Sequence, residues 1–296
     1  MGVDSAGKPQ KINSLTTVYN IYLQLFSETA VYFNEFLFYI GIWVLIYLVV
    51  CVFVYRKYAR RLTTRCRGSL KAKRVLVVIA HPDDECMFFG PTIFRLCEQD
   101  VDVHLLCLSD GNYEGAGITR RQELWAACCA LGLPAHNIVL VTDTRLQDGP
   151  HQTWPAPLIA TLVEHSLESL DIDTLVTFDR GGVSSHPNHA AVFFAVAYMF
   201  VENKIPKNCN VYTLDSVNIL RKYWGYLDIP ISFLLSSKRY FLRWTESRRV
   251  VSAMKCHQSQ LVWFRYLYLA LSRYVVINTL RKVSLADIEL ELEVDD

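Results

Sequence analysis

The chain has 296 residues, of which 52% are hydrophobic and 20% charged, with a formal net charge of +1. That length suits one globular domain of two hundred or so residues plus accessory segments, since domains usually run to about 100–200 residues. So balanced a charge excludes the broad basic footprint of a nucleic-acid-binding protein and leaves only local charge to be explained.

Residues 1–35 form a first segment in which Thr16–Phe36 carries apolar and aromatic residues at mixed spacing, compatible with a helix that precedes a membrane. Phe36–Tyr55 then contains no charged residue. Twenty residues at about 1.5 Å rise reach roughly 30 Å, the thickness of a bilayer's hydrocarbon core, so 36–55 is predicted to be a transmembrane helix. A basic linker, 56–73, follows it with Arg56, Lys57, Arg60, Arg61, Arg65, Arg67, Lys71 and Lys73 and no acid, and Arg74 extends the cluster. Basic flanks stay on the cytoplasmic side, which places everything beyond residue 56 in the cytosol. The same 56–74 cluster suits anionic lipid headgroups. The apolar run lies too far in, and lacks the small-residue site, for a cleaved signal peptide.

From residue 74 the pattern alternates. Val75–Ala80, Val101–Leu108, Ile138–Thr142, Thr174–Phe178 and Asn210–Leu214 read as buried strands, being short, apolar and rich in β-branched residues. Helices are predicted over Gly90–Glu98, Thr119–Leu131, Pro157–Leu170 and Asn188–Val201. Strand and helix alternating in this way imply an α/β fold with a doubly wound, mostly parallel sheet, whose ligand site lies beyond the carboxyl ends of the strands. Gln260–Asn278 reads as a further helix on which Arg265, Ser272 and Arg273 share a face, suited to a membrane interface or to covering the domain. Leu227–Leu235 reads as an apolar loop able to dip toward lipid, and 283–296 as an acidic tail. The nine cysteines show no C-x-x-C pair and no framework spacing, which points to a reducing compartment.

Two clusters follow predicted strand ends. After the first comes His81-Pro82-Asp83-Asp84-Glu85, and after the fourth, past Gly181-Gly182, comes His186-Pro187-Asn188-His189. A nucleotide-binding fold would carry a glycine-rich loop at the first position; these carboxylates repel phosphate and attract a cation. His81, Asp84 and His189 make a two-histidine, one-carboxylate set suited to Zn²⁺ with a position left for water, whose pKa the metal would lower. Asp83 is then a spare carboxylate able to take the water's proton, and His186 a spare imidazole able to stabilise an oxyanion or protonate a leaving amine. Each cluster alone has a plainer reading: acids at a helix start are favoured by its dipole, and the histidines could line a helix entrance.

The motifs Ala80–Glu85 (AHPDDE), Gly111-Asn112 with Arg120-x-x-Glu123, and Thr177–His189 (TFDRGGVSSHPNH) resemble the PIG-L/LmbE-like deacetylases, most closely their lipid-acting branch. The likeness extends into Ser216–Pro230 and Met254–Leu280 and covers roughly residues 74–282, with no counterpart for 1–35 or the acidic tail. The resemblance implies zinc, or another divalent metal, on His81, Asp84 and His189, Asp83 as general base, His186 as oxyanion stabiliser or acid, and Arg120 on the sugar. The alternative for Arg120 is an ion pair with Glu123 on a solvated helix face. Asp179 is expected either to orient a histidine or to cap its loop. Where bacterial members often carry an acid between the two histidines this chain has Asn188, and where they can carry a tyrosine two residues before the first it has Ser184. The resemblance further implies hydrolysis of the N-acetyl group of N-acetylglucosaminyl-phosphatidylinositol, a glycolipid partner in the membrane, during glycosylphosphatidylinositol (GPI) anchor synthesis at the endoplasmic reticulum. Rival readings are a deacetylase of a soluble N-acetylglucosamine conjugate, and a catalytically inactive, membrane-tethered glycolipid binder.

Overall fold

A computed structural model of the chain describes residues 14–61, 70–149 and 152–293. Expectations for residues 1–13, for 62–69 of the basic linker and for 294–296 of the acidic tail fall outside the described residues. Two compact units divide between Phe53 and Val54. The helix α1 (Ser14–Arg61) supplies the described part of the first unit and runs without a break through both the predicted leading segment and the predicted span. Its stretch Thr17–Ala59 contains an 18-residue window of mean hydropathy 2.8, long and apolar enough to cross a membrane.

In the second unit β1 (Arg74–Ile79) leads into one-turn α2 (Asp84–Met87) and α3 (Gly90–Cys97). Then β2 (Asp102–Cys107) is followed by α4 (Gly117–Leu131), β3 (Ile138–Leu140) by α5 (Ala156–Ser169), and β4 (Thr174–Phe178) by short α6 (Gly182–Ser185) and α7 (Pro187–Val201). Beyond β5 (Asn210–Leu214) come α8 (Ile219–Lys222), α9 (Ile229–Leu235), β6 (Lys238–Phe241), α10 (Trp244–Met254), α11 (Trp263–Leu271), β7 (Ile277–Val283) and α12 (Leu285–Glu293). The sheet order is β3-β2-β1-β4-β5-β7-β6. Strands β1 to β5 are parallel; β7 runs antiparallel to both β5 and β6.

The pleat divides the core. Val75, Val77 and Ile79 face one layer with α3, α4 and α10, while Leu76 and Val78 face the other with α5 and α7. Both faces of β1 are covered, which is why its sequence is a continuous apolar run. The chain order reverses between β1 and β4, and at such a switch point the two following loops diverge and leave a crevice. The predicted α/β fold with a doubly wound, mostly parallel sheet is therefore the observed one, preceded by an apolar helix.

The chain after β5 departs from expectation. Gln260–Asn278 is not one helix: α11 stops at Leu271, the Ser272 hydroxyl accepts from the Tyr274 N–H at 3.1 Å, and the β-branched run Val275–Ile277 turns into β7. The shared face proposed for Arg265, Ser272 and Arg273 does not exist. Ser272 and Arg273 are buried, Arg273 against Asp228 at 2.7 Å, while Arg265 reaches into the strand-end crevice. Leu227–Leu235 is likewise no loop, since α9 occupies most of it. The acidic tail begins as α12, which buries Ile288 in the core beside α7.

Candidate active site at the strand-end crevice

The loop after β1 is shaped by its own hydrogen bonds. Asp84 Oδ2 accepts from the backbone N–H groups of Ala80 (3.0 Å) and His81 (2.9 Å), folding the carboxylate back over the strand end. Its other oxygen lies 3.2 Å from His189 Nε2, and Oδ2 lies 3.9 Å from His81 Nδ1. Asp83 adopts φ 116°, a left-handed conformation costly for most residues and tolerated best by Gly, Asn and Asp.

The loop after β4 is bent as sharply. Gly182, Val183 and Ser185 all have positive φ (52°, 61° and 57°). A Cβ on Gly182 would approach the His189 Cβ to 2.9 Å, so only glycine lets this turn close over the histidine. The turn then presents the Gly182 carbonyl, 3.0 Å from His189 Nδ1. An Nδ1–H donating to that carbonyl leaves Nε2 facing Asp84, so that loss of the Nε2 proton gives the tautomer a metal ligand needs. Phe178 stacks on the same ring at 4.1 Å and fixes its plane. His186 caps α7, its Nδ1 accepting from the Asn188 N–H at 3.3 Å, which leaves Nε2 to carry the proton of the neutral ring.

The two clusters therefore meet. Ring nitrogens of His81, His186 and His189 lie within 4.8 Å of one another, and the Asp84 carboxylate sits between His81 and His189. An ion about 2.0–2.2 Å from two donors at a tetrahedral angle separates them by roughly 3.4 Å. The Asp84–His189 and Asp84–His81 separations, 3.2 Å through Oδ1 and 3.9 Å through Oδ2, lie on either side of that value, so these donors are spaced as a divalent metal would need, with His186 close enough to join them. Electrostatics agree with the geometry. Burial lowers the His81 pKa to about 4 and keeps the ring neutral. Burial alone would raise Asp84, but His189 and His81 pull it below the ordinary carboxylate range; burial likewise opposes His189, which Asp84 raises. Asp84 and His189 thus hold each other charged until a cation displaces the proton.

Asp83 is held from the far edge of the sheet. Its Oδ2 is ion-paired with the Arg265 guanidinium of α11. Oriented so that its nitrogen donates, the Gln260 amide reaches the same Oδ2 at 3.0 Å and the Pro82 carbonyl at 2.7 Å, and its oxygen accepts from His257 Nδ1–H at 3.0 Å. His257 Nε2 in turn lies 2.6 Å from Glu85 Oε1, both side chains being fully buried, and Glu85 also accepts from the Asp83 N–H at 2.9 Å. Burial opposes the charge on His257, but Glu85 outweighs it and raises the pKa, which suits an imidazole donating from both nitrogens. Among the described residues no donor addresses Asp83 Oδ1. One oxygen is fixed and the other remains available to take a proton. Burial raises the Asp83 pKa to about 6 against the pull of Arg265, close to what a general base at neutral pH requires.

For two residues the geometry selects between the alternatives left open. Asp179 touches no histidine: its carboxylate accepts from the Ser216 N–H (2.6 Å) and hydroxyl (2.5 Å), and that hydroxyl accepts from the Val183 N–H at 2.7 Å. It ties down the loop whose Gly182 carbonyl orients His189, and so acts by capping. Arg120 does not pair with Glu123, which accepts instead from the Ser259 N–H and hydroxyl at 2.8 and 2.6 Å. Arg120 lies across the cleft against Asp148 at 3.6 Å, with Nε buried and lacking a hydrogen-bond partner among the described residues. It lines a cavity of about 210 Å³ with His81, Asp83, Asp84, His186 and His189.

Sequence reasoning missed Asp148, Gln260 and His257 and misplaced Arg265. Asp148 and Asn188 address His81 Nε2 at 3.3 and 3.0 Å. Asp148 had a readable signal, since it follows the third strand on the crevice side of the sheet. The other three lie in the Met254–Leu280 stretch to which the family likeness extends, but nothing local assigns them a role, because each meets its partner across more than 170 positions.

Comparison with known proteins agrees with this geometry. Residues 76–200 match the family described as PIG-L, GlcNAc-PI de-N-acetylase. The chain is 45% identical over 208 residues to the N-acetylglucosaminyl-phosphatidylinositol de-N-acetylase of Bos taurus, covering 70% of this chain and 82% of that protein. It is 39% identical over 229 residues to the probable enzyme of that name from Schizosaccharomyces pombe, covering 73% and 89%. The N,N'-diacetylchitobiose deacetylase of Pyrococcus horikoshii is alike in fold alone, at 16% identity and a TM-score of 0.53 over 73% of this chain and 85% of that one. With an amide-hydrolysing geometry in the crevice and relatives of this identity over most of their length, the chain belongs to the PIG-L family of de-N-acetylases.

Proposed function

We propose that the chain hydrolyses the N-acetyl group of N-acetylglucosaminyl-phosphatidylinositol, releasing acetate and glucosaminyl-phosphatidylinositol, as the second step of GPI-anchor synthesis. The observation that carries the reading is the free oxygen of a clamped Asp83 beside the converging donors His81, Asp84 and His189. A Zn²⁺ or similar ion held by those three would acidify a water and polarise the acetamide carbonyl. Asp83 Oδ1 accepts the water's proton as the oxygen attacks the carbonyl carbon, while Arg265 and Gln260 keep Oδ2 from turning. His186 Nε2–H donates to the carbonyl oxygen as negative charge develops there. Asp83 then returns its proton to the amine as the C–N bond breaks. Arg120, with an unsatisfied buried N–H, is suited to a sugar hydroxyl.

The apolar helix α1 and the bases that follow it support a single-pass membrane anchor with the catalytic unit in the cytosol and its basic segment on anionic headgroups, and the proposed GPI step puts that membrane at the endoplasmic reticulum. A tethered crevice meets a lipid substrate in two dimensions. The test is release of labelled acetate from the glycolipid by membranes carrying the full chain. Chelation should remove activity to background and added Zn²⁺ should restore it. Undiminished turnover in chelator would overturn the metal assignment, and turnover of soluble conjugates alone would overturn the lipid one.

A further inference from the structure

Beside the mouth of the crevice the surface is apolar where a cytosolic domain would be polar. Ile219 and Leu220 on α8, Leu234 and Leu235 on α9, and Trp263 and Leu267 on α11 all face solvent, with Leu234 85%, Trp263 74%, Ile219 72% and Leu235 71% exposed. These three helices are joined to one another. Lys222 Nζ of α8 lies 5.9 Å from the Tyr268 ring of α11, and Arg221 of α8 pairs with Asp228 at 2.7 Å beside α9. They are joined to the site as well, because Lys222 is hydrogen-bonded to Ser184 at the cleft and Arg265 of α11 is ion-paired with Asp83.

We propose that α8, α9 and α11 form a collar that inserts shallowly into the membrane surface and seats the mouth of the crevice on the bilayer. This deepens, and rests on, the reading of the substrate as a membrane glycolipid. Three observations favour lipid over a protein as the occupant. First, the end of α1 that belongs to the second unit packs here, the Tyr58 ring lying 3.9 Å from that of Phe233 on α9, and Tyr58 is only three residues beyond Tyr55, the last residue of the charge-free run. Second, the charge is one-sided. Across 217–243 and 258–283 the sole acid is Asp228, which is fully buried and paired; Arg221, Arg243, Arg265 and Arg281 pair with acids of the domain, while Lys222, Lys238 and Arg239 have no acidic partner among the described residues and are left for anionic headgroups. Third, Trp, Tyr and Leu interleaved with bases is the composition of membrane interfaces, where the rings sit at headgroup level. With the collar inserted, the acyl chains stay in the bilayer and only the sugar rises into the crevice.

The experiment uses the full chain in vesicles of phosphatidylcholine and phosphatidylserine. The triple variant Leu234→Glu, Leu235→Glu, Trp263→Glu is compared with wild type on vesicle-borne glycolipid and on the acyl-free N-acetylglucosaminyl-inositol phosphate in solution. Turnover of the glycolipid should fall about tenfold or more while turnover of the soluble analogue stays within about twofold. In parallel, the emission of Trp263, taken as the difference between wild type and Trp263→Phe, should be quenched by lipids brominated near the headgroup. Equal losses on both substrates, no loss on either, or an unquenched Trp263 each overturn the collar. A wild-type chain that hydrolyses the analogue but not the glycolipid overturns the proposed substrate instead, and the quenching still decides the collar.

Discussion

His81, Asp84, His186 and His189 all follow the carboxyl ends of parallel strands β1 and β4, whereas His257, Gln260 and Arg265 come from the chain between β6 and β7, at the antiparallel edge. The parallel region gathers the donors that suit a metal. The antiparallel region grips the carboxylate that moves the proton. Each half of the cleft therefore has its own architecture, and binding the ion and using it should be separable by mutation.

Asp83→Asn tests that separation most severely. Metal content should be unchanged while kcat falls by about 10²–10⁴-fold, the usual contribution of a general base. Coincident loss of metal would merge the two halves again. Gln260→Leu leaves the base in place but removes its amide support, and should lower kcat by about 10–100-fold with KM and bound metal unaltered. A change in KM alone would mean that Gln260 serves the substrate. Asp179→Asn weakens the tie to Ser216, far from any proton transfer. It should cost about 1–2 kcal/mol, seen as a fall of about 2–6 °C in the Tm of the detergent-solubilised chain, with kcat lowered less than about fivefold. A larger rate effect would show that the capped loop sets the His189 orientation more tightly than its own carbonyl contact implies.

The same division explains what could be read in the residues. Of the five parallel strands β1, β4 and β5 were legible because strands covered on both faces must be nearly continuously apolar, β2 and the edge strand β3 because short apolar runs recur between helices, and the site was legible because parallel strands point their following loops at one crevice. The candidate donors could be picked out because they are neighbours in sequence, as His-x-x-Asp and His-x-x-His. The antiparallel edge was not legible. Trp263–Leu271 and Val275–Val283 are both apolar, one a helix and one a strand, and only the turn at Ser272 separates them. Arg273 is a charge placed inside the core, and its partner Asp228 lies in a segment that reads as a loop. Arg265 was seen as a surface base because its partner, Asp83, is 182 positions away.

The backbone of Asp83 has a further consequence for how this lineage can decay. Its left-handed φ and its chemistry make two separate demands, and aspartate is the acidic residue that meets both most readily. Asparagine and glycine meet the conformational demand alone. Drift to either would keep the loop backbone and the histidines in place at the cost of the Arg265 ion pair alone, so turnover could be extinguished with the fold retained. Homologues that keep every histidine here yet have fallen silent should be sought first at this one position.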